Sequence, residues 1–278
     1  MGSTVHVHVH IEVIETMSAS SCINALRRFF AIRGPAKQLR SDRGMNFAGA
    51  NSNLKAATEA EEESVNTYLC SQRCIWVFNQ PHASNMGGSW ERMIGTARRI
   101  LDSMLLQTGR SKVTHEVLCT FMAEVTAVIN SRPLIPVSSD PEALLIFTLA
   151  MLLTQKSGTP PAPPAAGSEA SVLKQKWKRV QALAETFWAR WRWEYLSVLQ
   201  ARQKWHAKKP NLKEGDIVLL KDKQARRNEW SIGRVEKTFL SDDGLVRKVD
   251  VKVASHHPPK TYLRPVSDMV LLLEAETV

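Results

Sequence analysis

A run of prolines and alanines, GTPPAPPAAGS at residues 158–168, constrains the fold more than any other stretch of this 278-residue chain. Proline fixes φ and lacks a backbone N–H, so such a run favours an extended spacer over a helix or a strand. The flanking segments differ in pattern: helical periodicity alternates with short strand-like runs before it, and short alternating runs dominate the end of the chain. We therefore predict two folded parts with a linker at residues 158–170.

The first part, residues 1–157, has the pattern of helices packed on a sheet. VHVHVHIEVI at residues 5–14 alternates strictly and predicts a strand, while SASSCINALRRFFAIRG predicts a helix that ends at Gly34. Further elements follow in the same way: a strand at KQLRS, a helix at residues 51–69, a strand at RCIWVFN, and helices beginning at Glu91 and spanning residues 114–130. In sheets of this kind, functional groups gather just beyond the carboxyl ends of the strands.

The second part begins with a long basic helical segment at residues 171–209, which is rich in tryptophan. These rings could stack on nucleic-acid bases, but their near-helical spacing favours packing against a neighbouring element. Residues 210–275 contain about five short strands, and an Asp-Asp-Gly triplet at residues 242–244 predicts a hairpin turn between two of them. The predicted fold class is therefore an α/β part, a helical linker and a small β-barrel.

The charge of the chain predicts an anionic partner. The formal net charge is +10 and the pI is about 9.6, and a basic surface attracts phosphate backbones and releases their counterions. An acidic membrane surface is the competing interpretation, although the longest apolar run, residues 144–153, is about half the length of a membrane-spanning helix. Because the N-terminus lacks the pattern of a secretory signal and the four cysteines form no CxxC pair, we predict an intracellular location and free thiols.

Two carboxylates stand where predicted elements end or begin. Asp42 directly follows a predicted strand, and Glu91 begins the helix after the NMGGSW loop. Each has an ordinary structural explanation, because Asp is favoured in turns and helix caps and Glu stabilises the first turn of a helix. Carboxylates that meet at one sheet edge are also what Mg²⁺ or Mn²⁺ requires. Both interpretations stay open at this point.

Four motifs in the correct order carry a family resemblance. LRSDRGMNFAGAN and NQPHASNMGGSWERMIG resemble the SDNGTNF and HxGGxWER segments of integrases encoded by Bel/Pao long-terminal-repeat retrotransposons. VINSRPLIPVSSDPEAL is similar to the stretch after the catalytic core of that family, and residues 211–254 resemble its C-terminal SH3-like barrel. The resemblance covers nearly the whole chain, with residues 1–157 as a partial, ribonuclease-H-like core.

The resemblance implies metal-dependent DNA integration, in which three acidic residues hold two Mg²⁺ or Mn²⁺ ions for 3′-end processing and strand transfer. Asp42 would match the second acid and Glu91 the third. In the family the first acid lies on a strand upstream of residues 5–14, and Glu12 is not expected to replace it. We therefore expect little or no strand-transfer activity from this polypeptide, which leaves its standing as an enzyme open. The resemblance also implies that the protein binds DNA, that it associates with further copies of itself, and that it is located in the nucleus.

Basic side chains in two regions are candidate DNA contacts. The helix after the NMGGSW loop carries Arg92, Arg98 and Arg99, which could bind phosphates or form a solvated face. The C-terminal part supplies a second set: Lys221, Lys223, Arg226, Arg227, Arg234 and Lys237, with Arg247 and Lys248 nearby. Such a set gives a sequence-independent phosphate footprint, so a non-catalytic DNA-binding module is the alternative function. A generic solubilising surface is the third interpretation.

Overall fold

The computed structural model describes nine stretches of the chain: residues 8–41, 52–78, 88–108, 113–134, 147–155, 175–199, 210–222, 225–253 and 260–275. The chain forms two compact units, one of Met1–Gly95 with Thr114–Met122 and the other of Thr96–Val113 with Ala123–Val278. The fold is mixed α/β with a five-stranded antiparallel sheet, as predicted. Within the described stretches, no helix has both the length and the apolar character that a bilayer crossing requires.

The first unit is built around two short parallel strands. It contains α1 (Ala19–Arg33), β1 (Gln38–Ser41), α2 (Ser52–Ser71), β2 (Ile75–Phe78) and the first parts of α3 (Gly88–Thr108) and α4 (His115–Asn130). β1 and β2 are in parallel register, and α2 connects them as a crossover helix. A small apolar core of Val65, Leu69 and Cys74 packs against α1 and both strands.

Local signals set the ends of these elements. The Ser18 hydroxyl accepts a hydrogen bond from the Ser21 N–H at 3.3 Å and caps α1. Gly34 ends that helix at φ 84°, where its N–H donates to the Phe30 carbonyl at 2.8 Å. The predicted helices at residues 51–69 and 114–130 and the predicted strands in KQLRS and RCIWVFN are confirmed as α2, α4, β1 and β2.

The predicted strand at residues 5–14 is wrong over residues 8–14, which belong to neither sheet, and residues 5–7 lie outside the described stretches. The segment is held on α1 by side chains instead. Glu12 accepts hydrogen bonds from Arg28 at 2.6 Å and from His10 at 2.9 Å, and Arg28 also donates to the Val13 carbonyl at 3.2 Å. Strict alternation indicates two faces, but a strand also requires a neighbouring strand to pair with, and alternation cannot supply one.

The second unit contains the antiparallel sheet. Its helices are α5 (Leu149–Thr154) and α6 (Lys176–Leu199), with the C-terminal parts of α3 and α4. The strands are β3 (Ile217–Leu220), β4 (Ile232–Leu240), β5 (Val246–Val253), β6 (Lys260–Pro265) and β7 (Met269–Leu273), in the order β6-β5-β4-β3-β7. The predicted hairpin turn at residues 242–244 is confirmed between β4 and β5.

Aromatic side chains join α6 to the sheet within this unit. Trp188 and Trp191 are buried, and the Trp230 ring packs edge-on against Trp188 at 5.0 Å and against Tyr195 at 5.4 Å. The prediction that the α6 tryptophans pack against a neighbouring element is therefore confirmed for Trp188, and Trp191 is buried between Phe187 and Tyr195 of the same helix. Trp177 and Trp193 are exposed, and Trp205 lies outside the described residues.

Candidate nucleic-acid interface

The outward face of β4, β5 and β6 collects positive charge. Buried valines alternate along β5 with Lys248, Asp250 and Lys252, so these three side chains point away from the core. Side chains directly opposite each other across an antiparallel pair share a face, which gives three rows across the strands. The rows are Arg234, Lys252 and Thr261; Lys237, Asp250 and Leu263; and Phe239, Lys248 and Pro265. We call this surface the basic face.

Like charges oppose each other on the basic face. Arg234 stands directly opposite Lys252 in the β4–β5 register, and like-charged cross-strand pairs destabilise a sheet. Glu236 relieves part of this repulsion, because one of its carboxylate oxygens lies 4.0 Å from the Lys252 ammonium and the other accepts a hydrogen bond from Thr261 at 2.9 Å. With Asp250 as the second carboxylate, the face holds an excess of cations that an anionic ligand would stabilise.

A bulge in β4 determines which side chains lie on the basic face. The register shifts between Val235 and Lys237, so that Lys237 pairs with Asp250 and Phe239 pairs with Lys248. Without the shift, Lys237 and Phe239 would share the inward face of Val235. Phe239 is instead 37% exposed, and the Lys237 ammonium lies 5.3 Å from the centre of its ring.

The β4–β5 hairpin is held in place at its turn. The Asn211 side chain donates to the Gly244 carbonyl at 2.9 Å and accepts from the Val246 N–H at 3.0 Å. Arg247 donates a hydrogen bond to Asp243, which lowers the pKa of that carboxyl, with a smaller contribution from the backbone N–H of Leu245. Arg247, named as a nearby cation on sequence grounds, therefore pairs with the turn and stands apart from the three rows.

The structure brings only some of the predicted C-terminal contacts together. Arg234 and Lys237 lie on the basic face. Lys221 follows β3 and donates to the Ser267 carbonyl at 2.8 Å, whereas Arg226 is exposed in the connection between β3 and β4. Lys223 lies outside the described residues.

Arg227 was predicted to contact DNA, and that prediction is wrong. Its side chain is 5% exposed and donates to the Gln181 amide oxygen at 2.8 Å. The Glu124 and Glu185 carboxylates lie 3.7 Å and 3.6 Å from its guanidinium. A guanidinium enclosed by these groups connects α4, α6 and the β3–β4 connection and is not available to a phosphate.

The predicted DNA contacts on α3 stay predictions. The Arg92 side chain lies outside the described part of the chain, and Arg98 is exposed. Arg99 is 71% exposed, donates to the Thr96 hydroxyl at 3.2 Å and lies 4.0 Å from Glu194. These positions are compatible with phosphate binding and with a solvated helix face alike.

The predicted carboxylate pair also stays a prediction, because Asp42 lies outside the described residues. Ser41, the residue before it, ends β1 and accepts a hydrogen bond from the Trp76 indole at 2.8 Å. Glu91 is half-buried in the first turn of α3. Among the residues whose positions are described, no three His, Cys, Asp or Glu side chains come together as a metal site would need.

Glu12 is engaged in other contacts. Burial by itself would raise the pKa of its carboxyl, but the hydrogen bonds from Arg28 and His10 together lower that pKa below its ordinary value. Both carboxylate oxygens are used in these contacts. That Glu12 does not serve as the first acid stays a prediction.

Among the members of the basic face that sequence reasoning missed are a cation, Lys252, and an aromatic ring, Phe239. The VRKVDVKV pattern of β5 carries the signal for Lys252, since a lysine two residues from Asp250 on an alternating strand must share its face. Phe239 had no such signal, because the bulge reverses the alternation that precedes it.

Comparisons with known proteins identify the C-terminal part most clearly. Residues 175–272 match the family model described as a family of unknown function, DUF5641. No curated protein matches the chain. Among solved structures, one chain of a cryo-EM structure of the simian T-cell lymphotropic virus intasome in complex with PP2A regulatory subunit B56 gamma is 11% identical, with a TM-score of 0.32. The match covers 93% of this chain and 66% of that chain, just under two thirds of its length. The DUF5641 match begins at α6 and takes in the whole basic face.

Proposed function

We propose that this protein binds DNA, that it descends from integrases of the Bel/Pao type, and that the basic face of an SH3-like sheet is its binding surface. The observation that carries the proposal is the direct opposition of Arg234 and Lys252, with Lys237 and Lys248 on the same face. Neighbouring strands lie about 5 Å apart, so these four cations can contact several phosphates of one backbone together. Binding of phosphates would remove the repulsion that the face carries when free.

The dependence of affinity on salt tests this proposal. Four phosphate contacts predict a slope of log K against log salt of about −3.6 on duplex DNA, or roughly a hundredfold weaker binding at 200 mM than at 50 mM salt. We expect replacement of all four cations of the basic face by Gln to abolish most of this slope. Fluorescence anisotropy with a labelled duplex of mixed sequence measures it.

A charge-matched variant is the control for that experiment. It carries the same loss of four positive charges at exposed positions that do not belong to the three rows of the basic face: Arg27, Lys37, Arg73 and Lys213, each replaced by Gln. If DNA affinity depended only on net charge, both variants would bind DNA more weakly by similar amounts. A slope that survives in the basic-face variant, or falls equally in the control, would contradict the assignment of the surface.

The same proposal includes a metal site, in which Asp42 and Glu91 are carboxylate ligands of Mg²⁺ or Mn²⁺. It also includes a nuclear location and self-association, which the resemblance to Bel/Pao integrases implies. Bound ions would supply charge stabilisation for phosphoryl transfer, and the two carboxylates would hold them. The resemblance requires three acids, so we expect little or no strand-transfer product from the polypeptide in either metal. Gel analysis of joined DNA ends measures it.

Asp42→Asn separates metal binding from DNA binding. Because the substitution removes a negative charge without touching the basic face, we expect DNA affinity to stay equal or to rise slightly. Joined product from the polypeptide would contradict the expected inactivity. A large loss of DNA affinity in Asp42→Asn would contradict the expectation that this carboxylate does not support DNA binding.

A further inference from the structure

We infer that Phe239 is a stacking position for an unpaired base, so that the basic face takes single-stranded nucleic acid, such as frayed or processed ends, in addition to duplex. The inference rests on the proposed function, because it requires nucleic acid to bind at this face. The inference goes beyond the proposed function because it names single strands as a ligand. Cations alone do not distinguish single strands from duplexes, since both contain phosphates.

Phe239 is placed outside the core by the fold itself. The core of the sheet contains buried aliphatic side chains, with Tyr262 as its aromatic neighbour, and does not include Phe239. The β4 bulge turns Phe239 and Lys237 onto the face of Arg234, away from the inward side of Val235. Bulges commonly re-aim a side chain next to a functional site, and here the side chain is a large apolar ring that gains little stability where it stands.

The surroundings of the ring suit a nucleotide. Its cross-strand neighbour is Lys248, and Pro265 completes the row, so this row of the basic face holds a cation and two apolar groups. Three carboxylates lie nearby, and each has a partner or a place outside this row: Asp250 is in the next row, Glu236 contacts Lys252 and Thr261, and Glu214 accepts a hydrogen bond from the Thr238 N–H at 3.5 Å. A base can therefore lie on the ring while its phosphate meets Lys248.

The Lys237 ammonium lies over the Phe239 ring at 5.3 Å from its centre, a cation–π arrangement. A base that stacks there takes the place of the ammonium, and the flexible lysine chain leaves the charge within reach of a neighbouring phosphate. In a duplex, each base is already stacked and paired, so its face is not available to the ring. The aromatic contribution is therefore confined to unpaired strands.

Phe239→Leu in the full chain tests the inference. Base–aromatic stacking is worth about 1–3 kcal/mol, and a ring that is 37% exposed should give the lower part of this range. We therefore expect roughly fivefold to tenfold weaker binding of a mixed-sequence single strand, with duplex affinity changed less than about twofold and both salt slopes unchanged. Phe239→Trp should keep or strengthen single-strand binding.

Leu245→Ala is the matched control, because Leu245 is an equally exposed apolar residue in the same hairpin, 38% exposed, and stands outside the three rows. We expect it to change neither affinity, and thermal unfolding should confirm that all three variants are folded. Equal effects of Phe239→Leu on single strands and duplexes, or no effect on either, would overturn the inference while leaving DNA binding intact. If the wild-type chain binds neither form with a salt-dependent affinity, the proposed function itself fails and the inference fails with it.

Discussion

Gly233→Ala is expected to lower the free energy of unfolding by about 2–3 kcal/mol, the cost of forcing a methyl group into a packed sheet. A Cβ atom at this position would stand 2.2 Å from Val251 Cγ1 and 3.0 Å from the Lys252 carbonyl oxygen. Val251 is fully buried in the core, so its methyl group cannot rotate into solvent. Either β4 moves away from β5 or Val251 leaves its rotamer, and both lose packing. Urea unfolding followed by far-UV circular dichroism measures the loss.

Two further variants make the Gly233 result specific. Gly95→Ala is the matched control, since a Cβ there meets no atom within 4 Å and the residue lies inside α3. Alanine in a helix interior is better than glycine by about 0.5–1 kcal/mol, so this variant should be slightly more stable. Val251→Ala combined with Gly233→Ala should cost less than the sum of the two single changes, because the Cγ1 contact is gone. If the free energy of unfolding of Gly233→Ala is within about 0.5 kcal/mol of the wild-type value, the strands separate at little cost and the prediction is wrong.

The elements that the sequence predicted correctly are those whose signals are local. The α1 boundaries follow from Ser18 and Gly34, and the hairpin turn follows from the triplet at residues 242–244. The failed strand at residues 8–14 depended on a neighbour that no local signal could show. The sequence could not show that Gly233 is closely packed, because the side chain nearest to it, Val251, belongs to the next strand.

The predictions for the candidate site also failed where local signals were absent. Arg226 and Arg227 are adjacent and chemically identical, yet Arg226 is exposed and Arg227 is buried, with Glu124 and Glu185 beside it. Glu124 is about a hundred residues away in the chain, so sequence position gave no means of telling the two arginines apart. Phe239 shows the same limit at shorter range, because strict alternation would have placed it inward and a single bulge placed it outward.

Trp230→Ala is expected to lower the free energy of unfolding by about 3–5 kcal/mol, as for other buried tryptophans. Trp230 is 5% exposed, and its ring packs at large interplanar angles against Trp188 and Tyr195 of α6. Its indole N–H donates to the Ser131 hydroxyl at 3.4 Å, so the residue connects the start of β4 to α6 and to the end of α4. Its removal leaves a cavity at the point where three parts of the second unit meet. Urea unfolding gives the magnitude.

Tyr195 provides an independent readout of the same cavity. Burial raises the pKa of its hydroxyl above the ordinary value, and nearby Arg132 lowers it by a smaller amount. Trp230→Ala should admit water beside the ring and bring the pKa of Tyr195 back toward about 10, which an alkaline titration of tyrosinate absorbance can follow. Trp230→Phe should keep much of the ring packing and lose less stability, because the Ser131 hydroxyl still donates to the Val128 carbonyl at 2.8 Å.

Trp193→Ala is the control for Trp230→Ala, since Trp193 lies on α6, the helix that Trp230 contacts, but is 60% exposed. Its removal deletes the same side chain without opening a cavity, so the expected change is within about 0.5 kcal/mol. Equal losses in the two variants would mean that the contact between α6 and the sheet does not depend on Trp230. If Trp230→Ala greatly lowers the free energy of unfolding but leaves the pKa of Tyr195 unchanged, neighbouring side chains have filled the cavity. With both changes in the expected direction, Trp230 holds α6, the end of α4 and the start of β4 together within the second unit.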